Sequence, residues 1–277
     1  MQDTIALICD CDQTLAFDTT NLLLEKNDIV LDTFWEEVGK LVEDGWDAPQ
    51  AWMNKILNLI QIGKIQQNTL QKLHDLGNEI KLYEGVNTLP SELQNEINSN
   101  PDFVDSGISI KFFIISQGIE ELIKGCNGLS GFDIFASRFA GDDKISAIKS
   151  TVTFTEKTKF LFAINKGISY EDLRKKPYLV NKTEEESQRS IPFNHMIYLG
   201  DSENDIPCFS MLNKKHGHTI SIDPIDQFHK GFQLTRGNRT RYGPYTSNYS
   251  EGSELRKALS FAINSIASNI VLEKKKT

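Results

Sequence analysis

The chain has 277 residues, 39% of them hydrophobic and 25% charged, enough to bury a sizeable core as one large domain or two unequal ones. Its formal net charge of −8 argues against nonspecific nucleic-acid binding, which needs a basic surface to neutralise phosphates. No apolar run approaches the roughly 18 residues of a membrane span, residues 1–25 carry no Lys or Arg for a secretory leader, and the four cysteines form no CxxC pair, so the chain reads as cytoplasmic with no membrane partner.

Thr4 to Cys9 is a short apolar run that predicts a buried strand, and it leads straight into Asp10-Cys11-Asp12-Gln13-Thr14. Two carboxylates there are costly unless something pairs them. Cys9 and Cys11 alternate along the strand and so share a face, which predicts core packing rather than a metal site. From residue 18 to about 82 the period is helical, in segments such as FWEEVGKLVEDG, APQAWMNKILNLI and NTLQKLHDLGNEI, with breaks at Gly45, Pro49, Gly63 and Gly77. Trp35, Trp46 and Trp52 all fall here. Most of them read as helix-packing residues of a small bundle, with one or two as candidates for lining a cleft instead.

From about residue 86 strands and helices alternate. LPSELQNEIN predicts a helix, ISIKFFIIS (108–116) an apolar strand, and IEELIKGC a helix beginning after Gly118. KTKFLFAINKG predicts a further helix, and NKTEEESQRSIP an exposed loop. HMIYLGD (195–201), NDIPCFSMLNK and HTISID (218–223) then read as strand, helix and strand. A terminal helix covers about 253–272, its apolar stripe expected to pack on the sheet. Lys230, Arg236, Arg239 and Arg241 form a basic stretch, read as a solvated loop, with an anion-steering edge near a site as the alternative.

This alternation indicates an α/β fold: a doubly wound, Rossmann-like parallel sheet core over 1–17 and 86–277, with a small helical cap over 18–85 inserted after the first strand. Ligands of such a sheet bind outside the carboxyl ends of the strands. Those ends carry Asp10, Asp12 and Thr14; Ser116, Gln117 and Gly118; and Gly200, Asp201, Asn204 and Asp205, with Lys157 and Lys159 just before or within a helix between the last two. Clustered carboxylates repel one another and call for a hard cation such as Mg²⁺, which takes oxygen ligands from one or two carboxylates and from substrate phosphate. Ser116 and the N–H groups of a turn at Gln117 and Gly118 would hold phosphoryl oxygens at a helix N-terminus. A lysine would neutralise the charge left over; Lys157 is preferred because it precedes the expected helix, with Lys159 as its competitor.

Taken together, these residues resemble the haloacid dehalogenase superfamily on its phosphatase side. The family's Asp-x-Asp-x-Thr matches Asp10, Asp12 and Thr14, its strand-ending Ser or Thr matches Ser116, its lysine Lys157, and its Gly-Asp-x-x-x-Asp matches Gly200, Asp201 and Asp205. A helical insert directly after the first motif looks like the cap of the phosphoserine-phosphatase-like branch. The resemblance implies a Mg²⁺-dependent phosphatase acting on a small phosphorylated metabolite. Asp10 would be the nucleophile and form an aspartyl-phosphate, and Asp12 would act as general acid and then base. The Mg²⁺ set would be Asp10, Asp201, Asp12 through its backbone carbonyl, and Asp205 close by or behind the others. Thr14 and Asn204 would position these groups.

An acid at Asp12 favours phosphoester chemistry over dehalogenation. The branch's cap arginine for a substrate carboxylate has no counterpart, because the first arginine is Arg138, outside the cap; Lys26 or Lys55 would substitute, and phosphoserine itself is not expected. Asp18, Thr19 and Thr20 open the cap and are candidates for substrate contact or for helix capping. A phosphotransferase or phosphomutase of the same fold and a non-catalytic binding protein are the alternatives. A two-component receiver is disfavoured because Ser116 precedes Asp201. The oligomeric state is left open.

Overall fold

The structure, a computed structural model, describes residues 2–224 and 230–276; Met1, residues 225–229, Thr277 and the Lys230 side chain lie outside the described residues. Strand β1 (Thr4–Cys9) is followed by four helices: α1 (Thr19–Glu25), α2 (Leu31–Glu43), α3 (Ala48–Gln61) and α4 (Leu70–Leu76). Asp18 starts α1 by accepting the Asn21 N–H (2.7 Å), and Asp47 starts α3 with Pro49 in its first turn. The chain leaves and re-enters side by side, for Phe17 N–H donates to Lys81 O (3.0 Å) and Tyr83 N–H to Leu15 O (3.0 Å).

Beyond this excursion come α5 (Leu89–Asn98), α6 (Pro101–Asp105), β2 (Ser109–Ile119) and α7 (Glu120–Gly125). A pair of strands, β3 (Asp133–Ala140) and β4 (Ala147–Ser150), precedes α8 (Phe154–Asn165) and α9 (Tyr170–Lys175). The order closes with β5 (Met196–Gly200), α10 (Ile206–Lys214), β6 (His218–Asp223), α11 (Lys230–Arg236), β7 (Tyr242–Thr246) and α12 (Glu254–Lys274).

The strands form one sheet in the order β4-β3-β2-β1-β5-β6-β7, parallel except for the antiparallel β3–β4 pair. This is the doubly wound α/β sheet that the alternation predicts. Because successive strand residues face opposite sides, β1 supplies two cores. Ile5, Leu7 and Cys9 pack with Leu122 and Ile123 of α7, with Leu259 and Ile263 of α12, and on into Leu23, Phe34 and Trp52 of the helical segment. Ala6 and Ile8 pack with Phe160 and Leu161 of α8 and Phe209 and Leu212 of α10. The apolar stripe of α12 thus lies on the sheet, and Cys9 and Cys11 are buried, free core residues. Among the described residues no helix is long and apolar enough to cross a membrane.

Several expectations are corrected. Helix α8 begins at Phe154, capped by Thr153, whose hydroxyl accepts the Glu156 N–H (3.2 Å), so Lys157 lies inside the first turn instead of ahead of the helix. Strand β2 runs through Gln117 and Gly118 to Ile119 by way of a shift in its pairing with β3, so these two residues extend a strand and do not open a helix. Trp46 is no packing residue: it sits in the turn between α2 and α3, 40% exposed. Arg236, Arg239 and Arg241 are exposed ahead of the outer strand β7, two strands removed from β5, with Arg241 donating to Asn213 O (2.9 Å); this favours the solvated reading over an edge that steers anions to the site. Residues 180–192 are irregular and mostly exposed.

Candidate active site

The site is assembled where β1, β2 and β5 end. Asp10 N–H donates to Leu199 O (2.9 Å), tying the end of β1 to the end of β5. Asp10 is 8% exposed and its carboxylate accepts the Cys11 N–H at 2.8 Å and an ion pair from Lys157 Nζ at 2.9 Å. Lys157, wholly buried, also holds Asp205 Oδ1 (2.8 Å), which the hydroxyl of Tyr198 reaches from within β5 (2.8 Å). Ser202 N–H and hydroxyl point at Asp205 Oδ2 (3.4 and 3.5 Å). Lys159 turns away and pairs with Glu156.

Gly200 is needed at its place because a Cβ there would run into the Asp205 carboxylate. The close approach lets one short turn bring Asp201 and Asp205 to the same spot. One oxygen from each of Asp10, Asp201 and Asp205 lies within 4.8 Å of the others. Thr14 reaches Asp201 Oδ1 (3.4 Å), whereas Asn204 sits at the exposed rim of the cleft, its side chain making no hydrogen bond among the described residues.

Asp12 stands apart from this cluster. Its Oδ1 accepts the Thr19 N–H (2.7 Å), and its Oδ2 faces Gly118, where a Cβ would come within 3.0 Å of it and 3.1 Å of Ser116 Oγ. Gly118 therefore lets β2 press against the Asp12 carboxylate. Its N–H donates to Ser116 Oγ (2.9 Å), so that N–H is engaged with the buried serine rather than free in a turn. The side chain of Asp12 is not a member of the acidic cluster.

The charges here are under strain. Burial first, then the neighbouring Asp205, raises Asp10 to about 6 against the pull of Lys157. Burial and then the charges of Asp10 and Asp205 push Asp201 well above the carboxylate range. Asp12 is raised to about 8 by burial and by Asp18. Burial would lower Lys157, but Asp10 and Asp205 outweigh it and hold the ammonium protonated. Three clustered carboxylates against one lysine leave negative charge uncompensated, and oxygen donors so grouped suit Mg²⁺. Asp205 takes contacts from Lys157, Tyr198 and both donors of Ser202, against two at Asp10 and one from Thr14 at Asp201, so Asp10 and Asp201 keep more lone-pair capacity for a metal.

A cleft of about 190 Å³ opens over Asp10, Asp12 and Asp201, and Trp35 and Trp52 line it along with Asp18 and Thr20. Asp18 thus does both things open to it, capping α1 and facing the cleft. Lys26 and Lys55 are elsewhere, paired with Glu79 and Glu37. Sequence reasoning missed Tyr198, whose role rests on a neighbour seven residues on, and missed the clamp on the first acidic turn: Tyr249 hydroxyl donates to Thr14 O (2.9 Å) and Ser247 hydroxyl to Gln13 O (3.3 Å). No sequence signal marks a clamp from over 230 residues away.

No protein-family model matches the chain. An uncharacterized protein of Borreliella burgdorferi is 27% identical over 92% of this chain and 94% of its own length. Similar solved structures include a phosphoserine phosphatase bound to substrate (16% identical, TM-score 0.55, covering 94% of this chain and 99% of that one). A HAD family hydrolase from Salmonella enterica serovar Typhi is 14% identical (TM-score 0.54, 88% and 68% covered), and a probable phosphoserine phosphatase from Vibrio cholerae is 13% identical (TM-score 0.54, 98% and 67% covered). At such identities the likeness is one of fold.

Proposed function

On a chain with the fold of haloacid-dehalogenase-type hydrolases in its phosphoserine-phosphatase-like form, we propose a Mg²⁺-dependent phosphatase that hydrolyses a small phosphomonoester through a phosphoryl group carried on Asp10. The observation that carries this reading is the meeting of Asp10, Lys157, Asp201 and Asp205 from separate strand ends and one helix, with Asp12 poised beside them. Fold alone would not support it.

The chemistry follows from what each residue can do. A carboxylate oxygen of Asp10 attacks phosphorus, the bond from phosphorus to the ester oxygen breaks, and Asp12 gives that oxygen its proton. Its raised pKa suits a carboxyl that must hold a proton near neutral pH. Water then attacks phosphorus and passes a proton to Asp12. The bond to Asp10 breaks, and inorganic phosphate leaves. Lys157 holds Asp10 in place and balances charge on the phosphoryl oxygens, while Gln117 and Gly118 line the cleft that would take the phosphoryl group, with the buried Ser116 hydroxyl accepting the Gly118 N–H behind them. Mg²⁺, held by Asp10 and Asp201 with Asp205 behind them, would neutralise the substrate phosphate and keep the nucleophile ionised. Four free, buried cysteines fit a reducing compartment, which supports a cytoplasmic location.

The test is phosphate release from a panel of small alkyl and aryl phosphomonoesters, with Mg²⁺ and with chelator. Wild type is expected to turn over with the metal, and Asp10→Asn to lose more than about 10³-fold. Turnover that survives the substitution would remove Asp10 as the nucleophile.

A further inference from the structure

The cleft has a chemical character of its own. On the side away from Asp10 its wall is built by Gln13, Asp18, Thr20, Trp35 and Trp52, and among the described residues no lysine, arginine or histidine lines it. The cation nearest the chemistry, Lys157, is fully buried and engaged by Asp10 and Asp205. Lys26 and Lys55, the basic residues of the helical segment that would serve an acidic substrate, are held by Glu79 and Glu37 outside the cleft. The wall that meets the leaving group therefore offers two indole rings, amide and hydroxyl groups, and the carboxylate of Asp18.

The positions are firmly held. Trp35 Nε1 donates to Asn21 Oδ1 (2.8 Å), and its ring abuts Phe34 edge-on with centroids 5.1 Å apart. Trp52 is 7% exposed and anchored in the core. Asp18 is fixed by the Asn21 N–H at the start of α1. An anionic leaving group would meet Asp12 and Asp18 with no lysine, arginine or histidine among the described residues of the lining, whereas a cation would meet two tryptophans and a carboxylate, residue types that attract ammonium groups. About 190 Å³ is less than the roughly 300–1,000 Å³ of clefts for drug-sized ligands, so the group is small.

Building on the phosphatase reading above, we infer that the substrate is the phosphate ester of a small alcohol bearing an ammonium group, its phosphate at Asp10 and its positive charge between Trp35, Trp52 and Asp18. A primary ammonium and a quaternary one share this chemistry, and the assay separates them.

The experiment compares kcat/KM of the Mg²⁺-loaded enzyme on 2-aminoethyl phosphate, on its trimethylammonium analogue and on 3,3-dimethylbutyl phosphate, the neutral isostere of the latter. A carboxylate-bearing ester and a hexose phosphate complete the set. The ammonium esters are expected to exceed the neutral isostere by about tenfold or more, and the carboxylate ester to be the poorest. Asp18→Asn keeps a good helix cap while removing the charge, and should lower the ratio of ammonium to neutral turnover about threefold or more. Trp52→Leu and Trp35→Leu should lower it also. If the neutral, sugar or carboxylate ester equals the ammonium esters, the inference is overturned while the phosphatase reading stands. If no ester in either panel releases phosphate, both fall.

Discussion

Two clusters of buried charge lie near the end of β2, and they are unbalanced in opposite directions. At the candidate active site Asp10, Asp201 and Asp205 surround a single lysine that is wholly buried. Just beyond β2, Glu120, with 3% of its side chain exposed, is surrounded by Lys124, Arg138 and Arg174. Those three cations keep 46%, 18% and 19% of their side chains exposed, and the Arg174 guanidinium lies 3.9 Å from the Tyr170 ring centre. Glu171 also pairs with Arg174 (3.4 Å), and water and an aromatic face absorb the positive charge left over, so the Glu120 cluster works as a clip joining α7, β3 and α9. The surplus negative charge at Asp10 meets only a small cleft, with 11% of the Asp10 side chain exposed. A buried surplus with no counter-charge calls for a ligand; a surplus facing solvent does not.

The largest effect on stability should come from removing the one cation of the first cluster. Lys157→Met is expected to cut turnover more than about 100-fold and to lower the unfolding free energy by about 3–5 kcal/mol, because buried carboxylates are left unpaired. Added Mg²⁺ should restore part of the stability, read by urea denaturation with and without the metal. A variant as stable as wild type in chelator would contradict the electrostatic account.

In wild type, Mg²⁺ at about 100 times its Kd should add about 2.7 kcal/mol to the unfolding free energy. Asp201→Asn should abolish most of that gain. Glu120→Gln is expected to cost about 2 kcal/mol, discounted for the exposure of its partners, with kcat/KM within about twofold of wild type and no change in the response to Mg²⁺. A large loss of activity in that variant would merge the two clusters into one functional unit.

The smallest effect belongs to a lone buried group with no strong counter-charge. His195, just before β5, is 4% exposed and its Nδ1 has no hydrogen-bond partner among the described residues; burial pulls its pKa below the usual 6.5 against the opposing charge of Glu273. The folded state therefore prefers the neutral ring, and below about pH 6.5 the unfolded chain takes up the proton more readily. Stability from this group is present above pH 6.5 and is lost as pH falls below it. Denaturation of wild type and His195→Gln at pH 7 and pH 5 should show the variant lacking that part of the decline.

Local patterns are legible where one element holds the whole signal. The run Thr4–Cys9 and the helix over 89–98 announce themselves by apolar content and period. Strand β7 does not, for it contains Gly243 and Pro244, which an outer strand tolerates but a sequence reading takes for a turn. The β3–β4 pair is short, and β4 carries Lys149 and Ser150 among few apolar residues. The start of α8 was misplaced because Thr153, its cap, lies before the segment whose apolar residues suggest a helix.

For the site, the sequence by itself determined which residue types end each strand, because a buried strand that stops at a carboxylate or hydroxyl is visible without knowing its neighbours. It also placed the tryptophans in the helical segment. Tertiary structure alone decided that Lys157, not Lys159, faces Asp10 and Asp205, that Asp12 bonds Thr19 instead of joining the acidic cluster, and that Trp35 and Trp52 share a cleft with Asp18. These outcomes depend on distances between groups up to nearly 200 residues apart. Electrostatics and packing act through space, and composition and spacing record only position along the chain.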